Sequence, residues 1–295
     1  MTYFGFLLRF LVIPILALLA IHYLLSLRAR TKAGVRASPL PQGEGPGVRV
    51  PPLPQGEGPG VRVSPRAVWI GIAIHVFLAV AYTTPWDNYL VATGVWYYNP
   101  DLVTGIVLGY VPIEEYTFFV VETLLAGLWW WFLARRISPP KTDFKASLPA
   151  RLIPFSVLFL AWAVFTFLFF FGDVKWTYLS ITLFWALPAI FPQLLFGADI
   201  LWHHRKLVFW SILVPGSYLS LMDIVALTDT TWSISKEQTT GVLFFGILPL
   251  EEVVFFFITN VLITFGMTLL LSEQGRLRLA EWKALLRRRS LITDH

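Results

Sequence analysis

The sequence predicts an all-α membrane protein: a polytopic bundle of seven transmembrane helices arranged as a 3+1+3 parallel duplication. Three observations carry this. With 56% hydrophobic and 14% charged residues and a mean hydropathy of +0.67, the chain lies outside the range of soluble domains. It contains seven apolar stretches long enough to cross a bilayer. It also contains one acidic motif twice: Pro112-Ile113-Glu114-Glu115-Tyr116-Thr117-Phe118-Phe119 returns as Pro249-Leu250-Glu251-Glu252-Val253-Val254-Phe255-Phe256. The absence of cysteine excludes disulfides, thiolate nucleophiles and Cys-ligated metals, and leaves the compartment open.

The first span is expected over residues 4–25. Arg9 and His22 are embedded in it and no small-residue cleavage site follows, so it reads as an anchor that stays. A basic segment, 28–66, comes next, and the stretch PLPQGEGPGVRV at 39–50 recurs letter for letter at 52–63. Its Pro/Gly composition cannot build a core, so 38–65 is expected to be an inserted, disordered linker. Its glycines make no phosphate loop, because neither a strand precedes them nor a helix follows. Further spans are expected at 67–84, 103–133, 152–171, 176–198, 207–227 and 241–271. Trp129-Trp130-Trp131 is expected to form an aromatic belt at the inner end of the third span.

Loop charges orient the chain. With the tail inside, the inner segments hold twenty of the twenty-three Lys and Arg residues, against Lys175 and Lys236 outside and Arg9 within the first span. The positive-inside rule then places the N-terminus outside and the C-terminus in the cytoplasm of a multi-pass protein of the cell membrane. Such charge belongs to membrane topology, and nucleic acid is not an expected partner.

The duplication extends beyond the motif. Trp96 and Gly105 follow Asp87 at successive intervals of nine residues, and Trp232 and Gly241 follow Asp223 at the same intervals. From each glycine the motif proline lies seven residues on in the first copy and eight in the second. Spans one to three thus match five to seven in the same orientation, with the fourth span as the inverting connector. The expected division is a first half at 1–133, a connector at 134–175, a second half at 176–271 and a basic tail at 272–295.

If the third and seventh spans are helical throughout, Glu114 and Glu251 lie roughly 15 Å below the span starts, near the middle of a ~30 Å hydrocarbon layer. Acids placed there are functional candidates by default. Desolvation and a neighbouring carboxylate both favour the neutral acid, so each pair, or the four together, should retain a proton. A neutral acid beside an ionised partner can donate and recover a proton without a cofactor. Glu114, Glu115, Glu251 and Glu252 are therefore the candidate catalytic residues, Glu114 and Glu251 first, with Glu115 and Glu252 tuning them. Pro112 and Pro249 would loosen the helix turn beside them. Phe118, Phe119, Phe255 and Phe256 would present aromatic faces, which stabilise cations. Asp87 and Asp223 are expected at the outer ends of their spans. Glu122, whose counterpart is Thr259, is expected to bond structurally, and His22 and His75 to be satisfied packing residues. His203-His204 reads as a cytoplasmic boundary. No His/Glu spacing matches a zinc site, so no metal is expected.

The doubled P-x-E-E-x-x-F-F motif, the Pro85-Trp86-Asp87-Asn88 turn and the triple-span repeat resemble the membrane-integral lycopene cyclases of carotenoid biosynthesis, in the form where two homologous halves are fused. The resemblance covers 67–271, and 4–25 loosely. It implies that the acyclic ψ end groups of lycopene are converted to β-ionone rings, giving β-carotene or γ-carotene, by a proton-initiated, redox-neutral cyclisation. It further implies a lipophilic polyene substrate held by the proline, phenylalanine and aspartate positions above, membrane lipid as surroundings, and room for association with other carotenoid enzymes. No dinucleotide-binding unit is visible, and no cofactor is expected. The other reading of the same residues is a small seven-span transporter whose buried carboxyls bind a cation or proton. The Phe-rich, otherwise nonpolar surroundings of the acids favour the cyclase.

Overall fold

The computed structural model of the protein describes residues 1–35, 64–138 and 142–293. The tandem repeat therefore lies outside the described residues. The chain runs α1 (Tyr3–Leu7), a π-helical turn (Leu8–Val12), α2 (Ile13–Val35), α3 (Pro65–Ala92), β1 (Trp96–Tyr98), β2 (Val107–Leu108), β3 (Val111–Pro112), α4 (Ile113–Ala134) and α5 (Leu148–Phe171). A 3-10 turn (Val174–Trp176) leads into α6 (Thr177–His203), α7 (Arg205–Thr228), β4 (Trp232–Ile234), β5 (Leu243–Phe244), β6 (Leu248–Pro249), α8 (Leu250–Leu271) and α9 (Glu273–Thr293). Among the described residues seven helical spans are long and apolar enough to cross a membrane.

Helix starts follow local chemistry. Ser64 and Ser147 cap α3 and α5, each accepting an N–H from three residues on with a proline in the first turn, so otherwise unpaired donors are satisfied and the proline sits where no N–H is needed. α4 and α8 are central: α3 packs on both, and so does α7. α5 packs on α6 and none of its residues is buried, which suits a lipid-facing connector.

The largest departure from expectation lies before the acidic motifs. The apolar runs at 103–133 and 241–271 are helical only from Ile113 and Leu250, because each opens with a two-stranded hairpin. Apolar continuity hid them: Ile106, Val107, Leu108 and Tyr110 are exposed on the first hairpin, and Leu243, Phe244 and Phe245 on the second. Glycine is the signal that marks them, with Gly109 at φ +70° in the first loop and Gly246 at +71° in the second. The first hairpin pairs Leu108 with Val111 across two residues, and the second pairs Phe244 with Leu248 across three. That one extra residue accounts for the seven-versus-eight spacing.

Consequently Pro112 and Pro249 are N-caps, not interior prolines, and the glutamates occupy the first helical turn. The 22 residues of α4 span about 33 Å by themselves. The acids thus sit at one end of the bundle and not at its middle. This is the end that holds Met1, whose carbonyl accepts from Thr231 Oγ1 at 3.1 Å. The tryptophans at the far end of α4 pack helices together: Trp130 is buried and donates to Thr268 Oγ1 at 2.9 Å, Trp131 stacks on His22 at 4.1 Å, and Trp129 donates to Trp210 O.

A third ladder joins distant parts of the chain. β1 and β4 pair antiparallel, Trp96 with Ile234 and Tyr98 with Trp232, extended by Asn99 N–H to Thr231 O and Ser235 N–H to Val95 O. Alternate residues of a strand share a face. Trp96 and Tyr98 accordingly point the same way, towards the acids.

Candidate active site

Each glutamate pair divides its work. Glu114 Oε1 accepts the backbone N–H of Thr104 at 2.6 Å, and Glu251 Oε1 accepts that of Thr240 at 2.7 Å. These first members pin the hairpins to the helix starts. The second members turn towards the bundle centre. Glu115 Oε2 accepts from Tyr3 at 2.5 Å and from Tyr98 at 2.9 Å; Glu252 Oε1 accepts from Tyr178 at 2.7 Å. All four lie at helix N-termini, where unpaired N–H groups and the helix dipole accommodate negative charge.

Glu115, Glu252 and Asp223 line one narrow cavity, walled by Tyr3, Tyr98, Trp96, Trp232, Phe118, Phe255 and Phe256. Its free room is about 20 Å³, which suits a single water molecule. A larger guest has to part the aromatic walls. Phe118 and Phe256 meet across α4 and α8 at 6.3 Å, and Phe255 is braced by Trp86, stacked at 5.2 Å, which stacks in turn on Trp185 at 4.6 Å. Burial, with the Asp87 and Glu115 carboxyls adding to it, pushes the Tyr98 hydroxyl well above its ordinary range and keeps it a donor.

Asp87 and Asp223 are buried, not water-exposed helix ends. Asp223 Oδ1 accepts from Trp232 Nε1 at 2.8 Å, and neither oxygen of Asp87 has a partner among the described residues. Asp87 stands outside the cavity lining, as do Phe119, packed on Tyr116 and Phe118, and both motif prolines. Asn88 of the same turn is a brace: its Oδ1 accepts from Tyr110 N–H at 2.8 Å and its Nδ2 donates to Thr84 O at 2.9 Å. A Cβ at Gly109 would collide with that Oδ1.

Glu122 accepts from Thr259 Oγ1 at 2.8 Å, a structural bond between the two positions that break the repeat. His22 and His75 each bond a backbone carbonyl, Leu128 O and Gly71 O. His204 bonds Gln274 at 3.0 Å, and burial lowers its basicity despite that acceptor. Among the described residues no group of three or more His, Asp or Glu is placed to hold a metal ion. The sequence reading missed Tyr3, Tyr98 and Tyr178. The recurrence of Trp96 at Trp232 was the available signal, since Tyr98 lies two strand residues beyond Trp96. Nothing local marks Tyr3 or Tyr178, which reach the acids through tertiary packing.

Seven long apolar helices around an acid-lined, aromatic-walled cavity define the class: a polytopic membrane protein with buried carboxyls at one end of its bundle. The lycopene beta-cyclase of Halobacterium salinarum strain R1 is 38% identical over 209 residues, 69% of this chain and 83% of that protein, and the protein of that name from strain NRC-1 matches equally. The bifunctional lycopene cyclase/phytoene synthase of Aspergillus oryzae is 32% identical over 68% of this chain, which spans only 34% of that longer protein. No protein-family model matches the chain, and no solved structure gives a significant match. The chain belongs to the lycopene beta-cyclase family.

Proposed function

We propose that the protein cyclises the ψ end groups of lycopene to β-ionone rings, yielding β-carotene or γ-carotene, at the cavity shared by α4 and α8. The observation that carries this is the meeting of Glu115, Glu252 and Asp223 with seven aromatic side chains in one buried space. The reaction adds a proton to the terminal double bond, closes a carbon–carbon bond onto the resulting cation, and removes a ring proton. It is balanced in protons and electrons, so acids and bases suffice. The aromatic faces suit the cationic intermediates, and Glu115, Glu252 and Asp223, within that wall, are the carboxyls available for general acid/base work. Glu114 and Glu251 act by holding the hairpins. In cells that accumulate lycopene, expression of the chain is expected to give β rings, and the purified protein supplied with lycopene in heavy water is expected to place one solvent deuterium on each ring formed. Unchanged lycopene at normal expression would overturn the reading.

The same reading includes fused halves, 1–133 and 176–271, joined by the connector span. Four correspondences support it. Tyr3 and Tyr178, near the starts of spans one and five, each donate to the second glutamate of a motif. Thr104 and Thr240 bond the first glutamate alike. Gly105 and Gly241 share φ values of +77° and +78°. Trp96 and Trp232 both sit in the strand ladder that joins the halves. On the charge bias the N-terminus lies outside and α9 in the cytoplasm. Reporter fusions after Leu271 are expected to be active only as cytoplasmic reporters, and the opposite result would reverse this orientation.

A further inference from the structure

The two halves supply matching residues to the cavity, but the hydrogen bonds there are unequal. Glu115 takes two phenol donors on one oxygen, Tyr3 and Tyr98. Glu252 takes one, because the strand position matching Tyr98 is Ile234. Asp223 takes the Trp232 N–H on Oδ1, while its Oδ2, fully enclosed, has no partner among the described residues. Asp87 likewise has no partner among the described residues, yet it does not line the cavity.

Resting on the cyclase reading, we infer that Asp223 delivers the proton to the terminal double bond and that Glu115 removes the ring proton. Hydrogen-bond donors stabilise a carboxylate in its charged form, and Glu115 has the most of them. Its phenols also fix its orientation, as removal of one particular ring proton requires. Asp223 has the complementary pattern. A neutral carboxylic acid accepts through its carbonyl oxygen and donates through its hydroxyl. The indole of Trp232 satisfies the first role, and the second is left without an acceptor in a buried site, an arrangement that calls for an explanation. An alkene π bond entering the cavity supplies that acceptor. The proton leaves Asp223 for the inner carbon of the terminal double bond, which leaves a tertiary cation on the dimethyl carbon; the pair of the next double bond along the chain closes the ring onto that cation, and the ring C–H proton passes to Glu115. Glu115 then gives that proton up to water and Asp223 takes one from water, which resets the site with nothing gained or lost overall.

The test uses the full-length protein in liposomes with two probes: lycopene, and lycopene whose terminal double bonds carry an epoxide. An epoxide oxygen is more basic than an alkene, so it opens with a weaker acid. Asp223→Asn keeps the acceptor for Trp232 and is expected to lose about 10²-fold or more on lycopene, to lose much less on the epoxide, and to form the ring double bond in its usual place. Asp223→Glu, which restores the acid, is expected to recover part of the lycopene turnover. Glu115→Gln is expected to fall on both probes alike, with residual product shifted to rings whose double bond is displaced or whose cation has captured water. Equal losses on both probes for Asp223→Asn, near-normal lycopene turnover by it, or an exchange of the two variants' behaviour would overturn the assignment. Failure of the wild type on both probes would instead overturn the cyclase reading itself.

Discussion

Glu115→Gln and Glu252→Gln are each expected to lower cyclisation by about 10²-fold or more, whereas Glu114→Gln and Glu251→Gln stay within about tenfold of wild type. The second glutamates face the cavity, and glutamine removes their titrating proton. The first glutamates face away from it, and what they supply is an oxygen for the Thr104 and Thr240 N–H groups. Glutamine keeps that oxygen. Product analysis of the four single variants, normalised to protein in the membrane, decides the matter. A loss at Glu114 or Glu251 as large as at its neighbour would mean that the hairpin-facing acids move between bonding the loop and reaching the substrate. Glu115→Gln/Glu252→Gln together are expected to fall little further than the worse single variant, because groups that serve one reaction lose their effect together.

How far such roles could be read beforehand depended on the kind of signal. Span number was legible because a bilayer imposes one length and one chemistry on every crossing. The acidic motifs were legible because carboxyls in apolar runs are rare. Their depth was misread: a hairpin of Val107, Leu108 and Val111 is as apolar as a helix, and hydropathy does not separate the two. The division of labour within each pair was out of reach for a related reason. Neighbouring helical residues project about 100° apart, and which of Glu114 and Glu115 faces the centre depends on where the helix begins. Gly105 and Pro112 help to mark that start, yet they were read as repeat landmarks, and Gly109 went unremarked. The Glu122–Thr259 contact was legible as a departure from the repeat. The tyrosines were not, since Tyr3 and Glu115 are joined only when α1 packs on α4.

The second large effect is expected at the other end of the bundle, where Asp199 went unremarked and Arg278 was counted merely as a tail charge. Arg278 forks onto Asp199 at 2.7 and 2.8 Å, and Asp199 also accepts the N–H of Ser147 and of Ile200 at 3.0 Å. The helix α6 is broken at Gly197, where a Cβ would collide with Leu269. Just before the break, the Phe196 carbonyl accepts from Arg278 at 2.6 Å. One guanidinium thus ties α9 to the break in α6, and through Asp199 to the residues that start α5. Arg278→Met leaves a buried carboxylate without its counter-charge, as Arg151 approaches only to 3.8 Å, and such a loss typically costs about 3–5 kcal/mol. The double variant Asp199→Leu/Arg278→Leu removes both charges and is expected to recover most of that stability, because the penalty belongs to the orphaned charge and not to the missing bond. Unfolding of the detergent-solubilised protein measures both. Stability of Arg278→Met within about 1 kcal/mol of wild type would show that water or Arg151 already neutralises Asp199. A double variant no better than the single would show that the fork's geometry, holding α9 against α6, matters more than its charge.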